Sequence, residues 1–136
     1  MSKLSNYMYS NVKEIINFLE TVNDKINNKD ASNLQFLEND LEGILSSLSE
    51  KGARKFLESL GFFEKMSVIS EAKTLKIRMD NLNSRLSNPS LYIDTCKLGM
   101  EIIKEDFSDQ EKIIKFYKNY DECKYYKDKF LNLLAK

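Results

Sequence analysis

The side chains able to do chemistry are few in kind. No histidine occurs in the 136 residues. That removes imidazole acid-base catalysis, Ser-His and Cys-His nucleophile pairs, and the commonest zinc and non-haem iron ligand sets. The Glu-x-x-His ligands of di-iron bundles go with them. Carboxylates cluster twice, at Glu38, Asp40 and Glu42 and at Glu105, Asp106 and Asp109. In the first group a two-residue helical step sends successive acids to diverging faces, not toward one ion. The second lacks the alternating oxygen ligands and central glycine of a calcium loop. Cys96 and Cys123 show neither CxxC spacing nor a neighbouring base, and a buried thiol usually behaves as a small hydrophobe. Gly43, Gly52, Gly61 and Gly99 build no phosphate-cradling loop. The sequence nominates no catalytic residue, no metal ligand and no cofactor.

Charge gives a second kind of chemistry, attraction to a polyanion. Lys+Arg and Asp+Glu balance at 21 each, but unevenly: residues 1–50 carry eight acids and four bases, residues 51–100 nine bases and five acids. Complementarity between packed helices is the simplest reading of that asymmetry. The alternative is nucleic-acid binding by the basic 51–85 segment, where Lys51, Arg54 and Lys55 precede Gly61 and Lys65, Lys73, Lys76, Arg78 and Arg85 follow it. Lys73, Lys76 and Arg78 would then meet phosphates. Against it, the second arm is long for a recognition helix and its bases spread around the cylinder. Lysines also interleave with Phe116, Tyr117, Tyr120, Tyr125 and Tyr126, a pattern able to stack bases. There, however, the core stripe claims the first three aromatics and acids dilute the charge.

These residues need positioning elements, and the composition predicts helices. Apolar residues make up 42% and charged residues 31%, with only four glycines and one proline to punctuate the chain. Three- and four-residue apolar steps predict helices over about 8–27, 32–49, 50–60, 63–87, 90–106 and from about 109 to the end. Asp30 or Ser32 is available to cap the second. Gly61 is expected to supply a left-handed stop after the third. The fourth has the seam Val68, Ala72, Leu75, Met79, Leu82, Leu86 and ends at Asn88-Pro89, which can also open the fifth. The fifth, apolar on most of its circumference, is expected to be central. Ser108-Asp109-Gln110-Glu111 reads as a capping box for the last. The last helix's stripe rotates by roughly a quarter turn past Tyr120, which predicts either a kink near Asp121–Lys124 or a change of packing neighbour. The expected fold is all-α: a single domain over 1–136, a compact bundle of five to six mostly antiparallel helices. No window of 18 apolar residues exists to cross a membrane. The N-terminus lacks a signal-peptide pattern, and two unpaired thiols fit the cytoplasm.

What remains is the set of apolar residues that the core stripes do not use. Phe36 points away from the Leu34–Leu48 seam; Phe62, Phe63, Met66 and Ile77 gather opposite Val68–Leu86; Tyr125 leaves the last stripe. Aromatic and Met side chains exposed together mark interfaces. The competing expectation is that the 62–77 face is core, sandwiched between two layers. The reading that follows is a non-enzymatic protein–protein interaction module: an adaptor, inhibitor or immunity-type protein whose partner is another protein. A homodimer through helix 63–87 is a variant of it. A small-ligand carrier or histidine-free enzyme is the remaining alternative.

Overall fold

The computed structural model describes the backbone of residues 2–82 and 90–135, which form six helices and no strand. They are α1 (Lys3–Asn27), α2 (Leu34–Leu48), α3 (Glu50–Glu58), α4 (Phe62–Leu82), α5 (Ser90–Lys104) and α6 (Gln110–Ala135). The expected all-α bundle is therefore observed. Arg85, Leu86, the Asn88-Pro89 signal and the side chains of Met79 and Leu82 lie outside the described residues.

The two longest helices, α1 and α6, run through two separate apolar clusters. In the larger, Ile15, Ile16, Phe18, Leu19, Val22 and Ile26 of α1 meet Leu37, Leu41 and Ile44 of α2. Tyr92, Cys96, Met100, Ile102 and Ile103 of α5 and Phe116 and Cys123 of α6 complete it. In the smaller, Leu4 at the start of α1 and Phe130, Leu133 and Leu134 at the end of α6 meet Leu60 and the Val68 and Leu75 side chains of α4. Phe56 and Leu57 of α3 pack against this second cluster. Helix α5 is densely buried, as its composition required, but it is not the hub. α1 touches α2, α4, α5 and α6, whereas α5 touches α1, α2 and α6, because 15 residues span only the larger cluster.

This division explains the rotated stripe on α6. The helix is unbroken from Gln110 to Ala135, so the kink alternative fails and the change of neighbour holds. Ile113, Phe116, Tyr117 and Tyr120 face the larger cluster, and roughly a quarter turn on, Tyr126, Phe130, Leu133 and Leu134 face the smaller. The start of α1 also differs from expectation. Ser2 caps it by accepting the Ser5 N–H at 3.1 Å, which places Leu4 in the second cluster and adds more than a turn before Met8.

The helix stops depart from the glycine reading. No glycine among the described residues takes a positive φ; the left-handed positions are Lys29 (49°), Asn33 (58°), Asp106 (54°) and Phe107 (62°). After α1 the Lys29 N–H bonds to the Ile26 carbonyl and the Asp30 N–H to Lys25. After α5 the Asp106 N–H bonds to Ile103 and the Phe107 N–H to Ile102. Both are Schellman closures in which a residue with a Cβ holds the position that glycine usually takes. Gly61 instead opens α4: its carbonyl accepts the Lys65 N–H and its own N–H donates to Glu64 Oε1. Helix α6 is capped one residue later than expected, by Asp109, whose carboxylate accepts the Lys112 N–H at 3.2 Å, while the Ser108 hydroxyl turns back to Glu105. Ser49 alone joins α2 to α3, ending one and capping the other through the Gly52 N–H.

Gly99 sets the spacing of the larger cluster. A Cβ there would overlap Val22 Cγ1 and sit 3.0 Å from Phe116 Cε2, so α5 approaches α1 and α6 at backbone distance. Gly43, on α2, has nothing within 4 Å of the same construction. Gly99→Ala is expected to destabilise by about 1–3 kcal/mol through overpacking. Gly43→Ala should stabilise by about 0.5–1 kcal/mol through helix propensity. Urea unfolding of the two variants checks both signs.

Candidate functional site

Three of the six clustered carboxylates serve structure. Glu38 pairs with Lys104 at 2.8 Å, Glu105 with Lys112 at 2.6 Å, and Asp109 caps α6. Asp40 lies on the wall of an open groove between α1 and α2, with Glu14 opposite and Gly43 on its rim. Among the described residues, no three acidic or thiol side chains are grouped to hold a metal ion. Cys96 and Cys123 are buried free thiols. Burial raises the Cys96 thiol well above its ordinary range. Burial also lifts Cys123 from 9.0 to about 11, against the opposing pull of Thr95 Oγ1, 3.7 Å from its sulfur. Neither thiol is an activated nucleophile.

The bases divide by location. On α6, Lys112 is tied to Glu101 and Glu105, Lys127 to Glu20, Lys129 to the Tyr125 hydroxyl and ring, and Lys124 lies over the Tyr120 ring. Phe116 and Cys123 point inward from the same helix, so the aromatic-basic interleaving is a packed and paired surface. On α4, Lys73, Lys76 and Arg78 are all exposed, and among the described residues none forms an ion pair. Arg78 lies beside Leu75 on the side facing Leu4 and Leu133, so the three do not form one patch.

Complementary pairs do join packed helices, but among the described residues they do not run from acids of the acid-rich segment to bases of the base-rich one. Acids of the first third pair with bases of the last third, as Glu38–Lys104 and Glu20–Lys127. The described contact between α1 and the basic middle runs the other way, with Lys3 of α1 binding Glu64 of α4. Lys3 and the Gly61 N–H hold that carboxyl below its usual range. Helix α2 packs on α1, α3 and α5, and α4 on α1 and α6; among the described residues, Glu50–Arg54 within α3 is the one ion pair that joins an acid of 1–50 to a base of 51–100.

The expected off-stripe residues are exposed. Phe36 is 70% exposed, Phe62 72%, Phe63 85%, Met66 58%, Ile77 61% and Tyr125 61%. The 62–77 face is therefore not sandwiched between layers. The register explains why: Phe62, Met66, Ile69, Lys73 and Ile77 fall within roughly 80° of the helix circumference, opposite Val68 and Leu75. Val68 and Leu75 are buried, whereas Ala72 of the expected seam is exposed, so a narrow inner strip holds α4 and its whole outer face is free. Phe62 and Phe63 meet edge-on at 5.5 Å at the start of the stripe. Ile69, 49% exposed in its middle, was overlooked in the sequence, although the four- and three-residue steps from Phe62 through Met66 lead to it. Ile114, at 69%, was also overlooked, beside the half-buried Ile113.

These residues do not form one site. Phe36 stands on α2, which packs in the other cluster, and Tyr125 stands on α6 against Tyr126 and Lys129. The contiguous surface is α4 alone. No protein-family model, curated protein or solved structure matches this chain.

The thiol environment gives a testable expectation. A thiol whose folded pKa is raised stabilises the fold below its unfolded pKa and loses that contribution as pH climbs through the folded value. The Cys123 contribution should therefore be complete below about pH 9 and gone by about pH 11. At about pH 8 a disulfide reagent should modify the native thiols roughly 100-fold more slowly than those of the urea-unfolded chain. Absorbance kinetics under both conditions measure it.

Proposed function

We propose that the protein is non-enzymatic and acts in the cytoplasm by binding another protein through the outer face of α4, as an adaptor, inhibitor or immunity-type protein would. The observation that carries this reading is the exposed row Phe62, Met66, Ile69 and Ile77, with Phe63 beside it, on a helix whose other side already supplies its packing. Single exposed apolar residues are ordinary on a soluble surface, but a contiguous aromatic and aliphatic row is a mark of interfaces. The paired carboxylates, the inert thiols and the absence of histidine support a function without covalent chemistry. The free thiols fit a reducing compartment.

Met66→Glu and Ile69→Glu should leave the helical circular dichroism intact and change stability by no more than about 0.5 kcal/mol, because both side chains are already exposed. Each should weaken partner binding by roughly 30-fold or more, the loss expected at an interface hot spot. Purification of tagged wild type and variants from native cells, with nuclease treatment, reads the outcome. A stoichiometric, nuclease-resistant partner lost from both variants and retained by Ile114→Glu supports the reading. A partner indifferent to the α4 substitutions sinks it, and one removed by nuclease transfers the role to the bases of 51–85.

A further inference from the structure

We infer that the α4 face receives an amphipathic helix of the partner whose apolar stripe is flanked by acidic residues. This rests on the docking reading above and adds the partner's shape and charge. The shape follows from the face itself. Phe62 to Ile77 spans about 22 Å along the helix axis, and its steps of four, three, four and four are the ridge pattern into which a second helix interdigitates. Past the first turn the backbone N–H groups along it are engaged inside the helix, so an extended strand would find no continuous hydrogen-bonding edge. A helix of roughly 15–20 residues presenting its own three- and four-residue row matches the surface.

The charge follows from the bases within and beside the row. By helical register the face between Phe62 and Ile77 carries Lys65, Lys73 and Lys76 and no acid. Among the described residues none of those three bases has an ion-pair partner within the chain. The acids of 62–77 lie off this face: Glu64 is bound to Lys3 and to the Gly61 N–H, and Glu71 is half-buried on the inner side. Carboxylates on the incoming helix would meet these bases, raising the association rate and excluding helices of the wrong sign. The same bases argue against a second copy pairing α4 with α4. A two-fold axis places each patch on itself and sets the three bases of one chain against those of the other.

The test uses the full chain and three labelled synthetic peptides that share one leucine row, flanked by glutamate, by glutamine or by lysine. Fluorescence anisotropy should rank them in that order, with the glutamate peptide about tenfold tighter than the glutamine one. That preference should vanish between roughly 0.05 M and 0.5 M salt. The double variant Lys73→Glu/Lys76→Glu should reverse the ranking, and circular dichroism of that variant confirms that it is folded. Equal binding of all three peptides, or an unchanged ranking in the double variant, overturns the acidic partner and leaves α4 docking standing. No binding of any peptide, with native-cell complexes indifferent to Met66→Glu, overturns both. Two further results would overturn the helical partner. One is tight binding to vesicles containing about one-third anionic lipid, stronger than to the glutamate peptide. The other is a mass that grows with concentration in light scattering, which would direct the basic face to the α1–α2 groove of another copy, where Glu14 and Asp40 lie.

Discussion

The missing side chain at residue 99 sets the distances on which the rest of the bundle depends. Where α5 crosses α1 and α6, the contact is made by Val22 from one side and Phe116 from the other, both fully buried. At this spacing Phe116 stacks on Tyr120, and Tyr92, Cys96, Met100 and Ile103 are buried in the same cluster. A helix interior ordinarily disfavours glycine by ~1 kcal/mol relative to alanine. Here that penalty is offset by dispersion contacts that a methyl group would forbid. The four-helix packing of the larger cluster follows from this one approach.

The second organising fact is that α1 and α6 are longer than the core they first enter. Their excess length, Leu4 to Tyr9 on one and Tyr126 to Leu134 on the other, builds the smaller cluster and gives α3 and α4 a place to sit. A short helix such as α3, with Phe56 and Leu57 only half-buried, is held by Ser49 at its start and by the stacking of Phe56 on Tyr7 at 4.1 Å. Helix α4 contributes Val68 and Leu75 to that cluster and leaves everything opposite them in water. The division of the core thus produces both the rotated stripe of α6 and the free face of α4.

Much of this was legible in residue spacing. The Leu37–Leu41–Ile44 stripe of α2, the depth of α5 and the rotation along α6 follow from angles of 100° per residue, and each is observed. The stops were legible, α1 ending at Asn27 as the spacing predicts, but the left-handed residues that close them were not: the closing hydrogen bonds at Lys29 and Asp106 and the burial of Phe107 impose that backbone. The beginning of α1 was missed because Ser2 to Tyr7 holds one buried aliphatic among polar residues, too few for a stripe. Subtraction of the core stripes found Phe36, Phe62, Phe63, Met66, Ile77 and Tyr125, all exposed. It overlooked Ile69 and Ile114, which look unremarkable until the register of their helices is fixed. The fate of the charge asymmetry was beyond any one-dimensional reading, since it depends on which helices touch.

The thin attachment of α4 has a consequence for how the molecule breathes. A segment held chiefly by Val68 and Leu75 can detach at a fraction of the free energy needed to separate α1, α5 and α6, whose contacts converge on Phe116. The contacts thus rank in two tiers: an inner assembly converging on Phe116, and an outer helix that is first in the order of local opening. Occupying the outer face would draw that opening equilibrium toward the docked form only if the ligand requires α4 in place. Binding and local order in this protein are thereby two readings of the same helix.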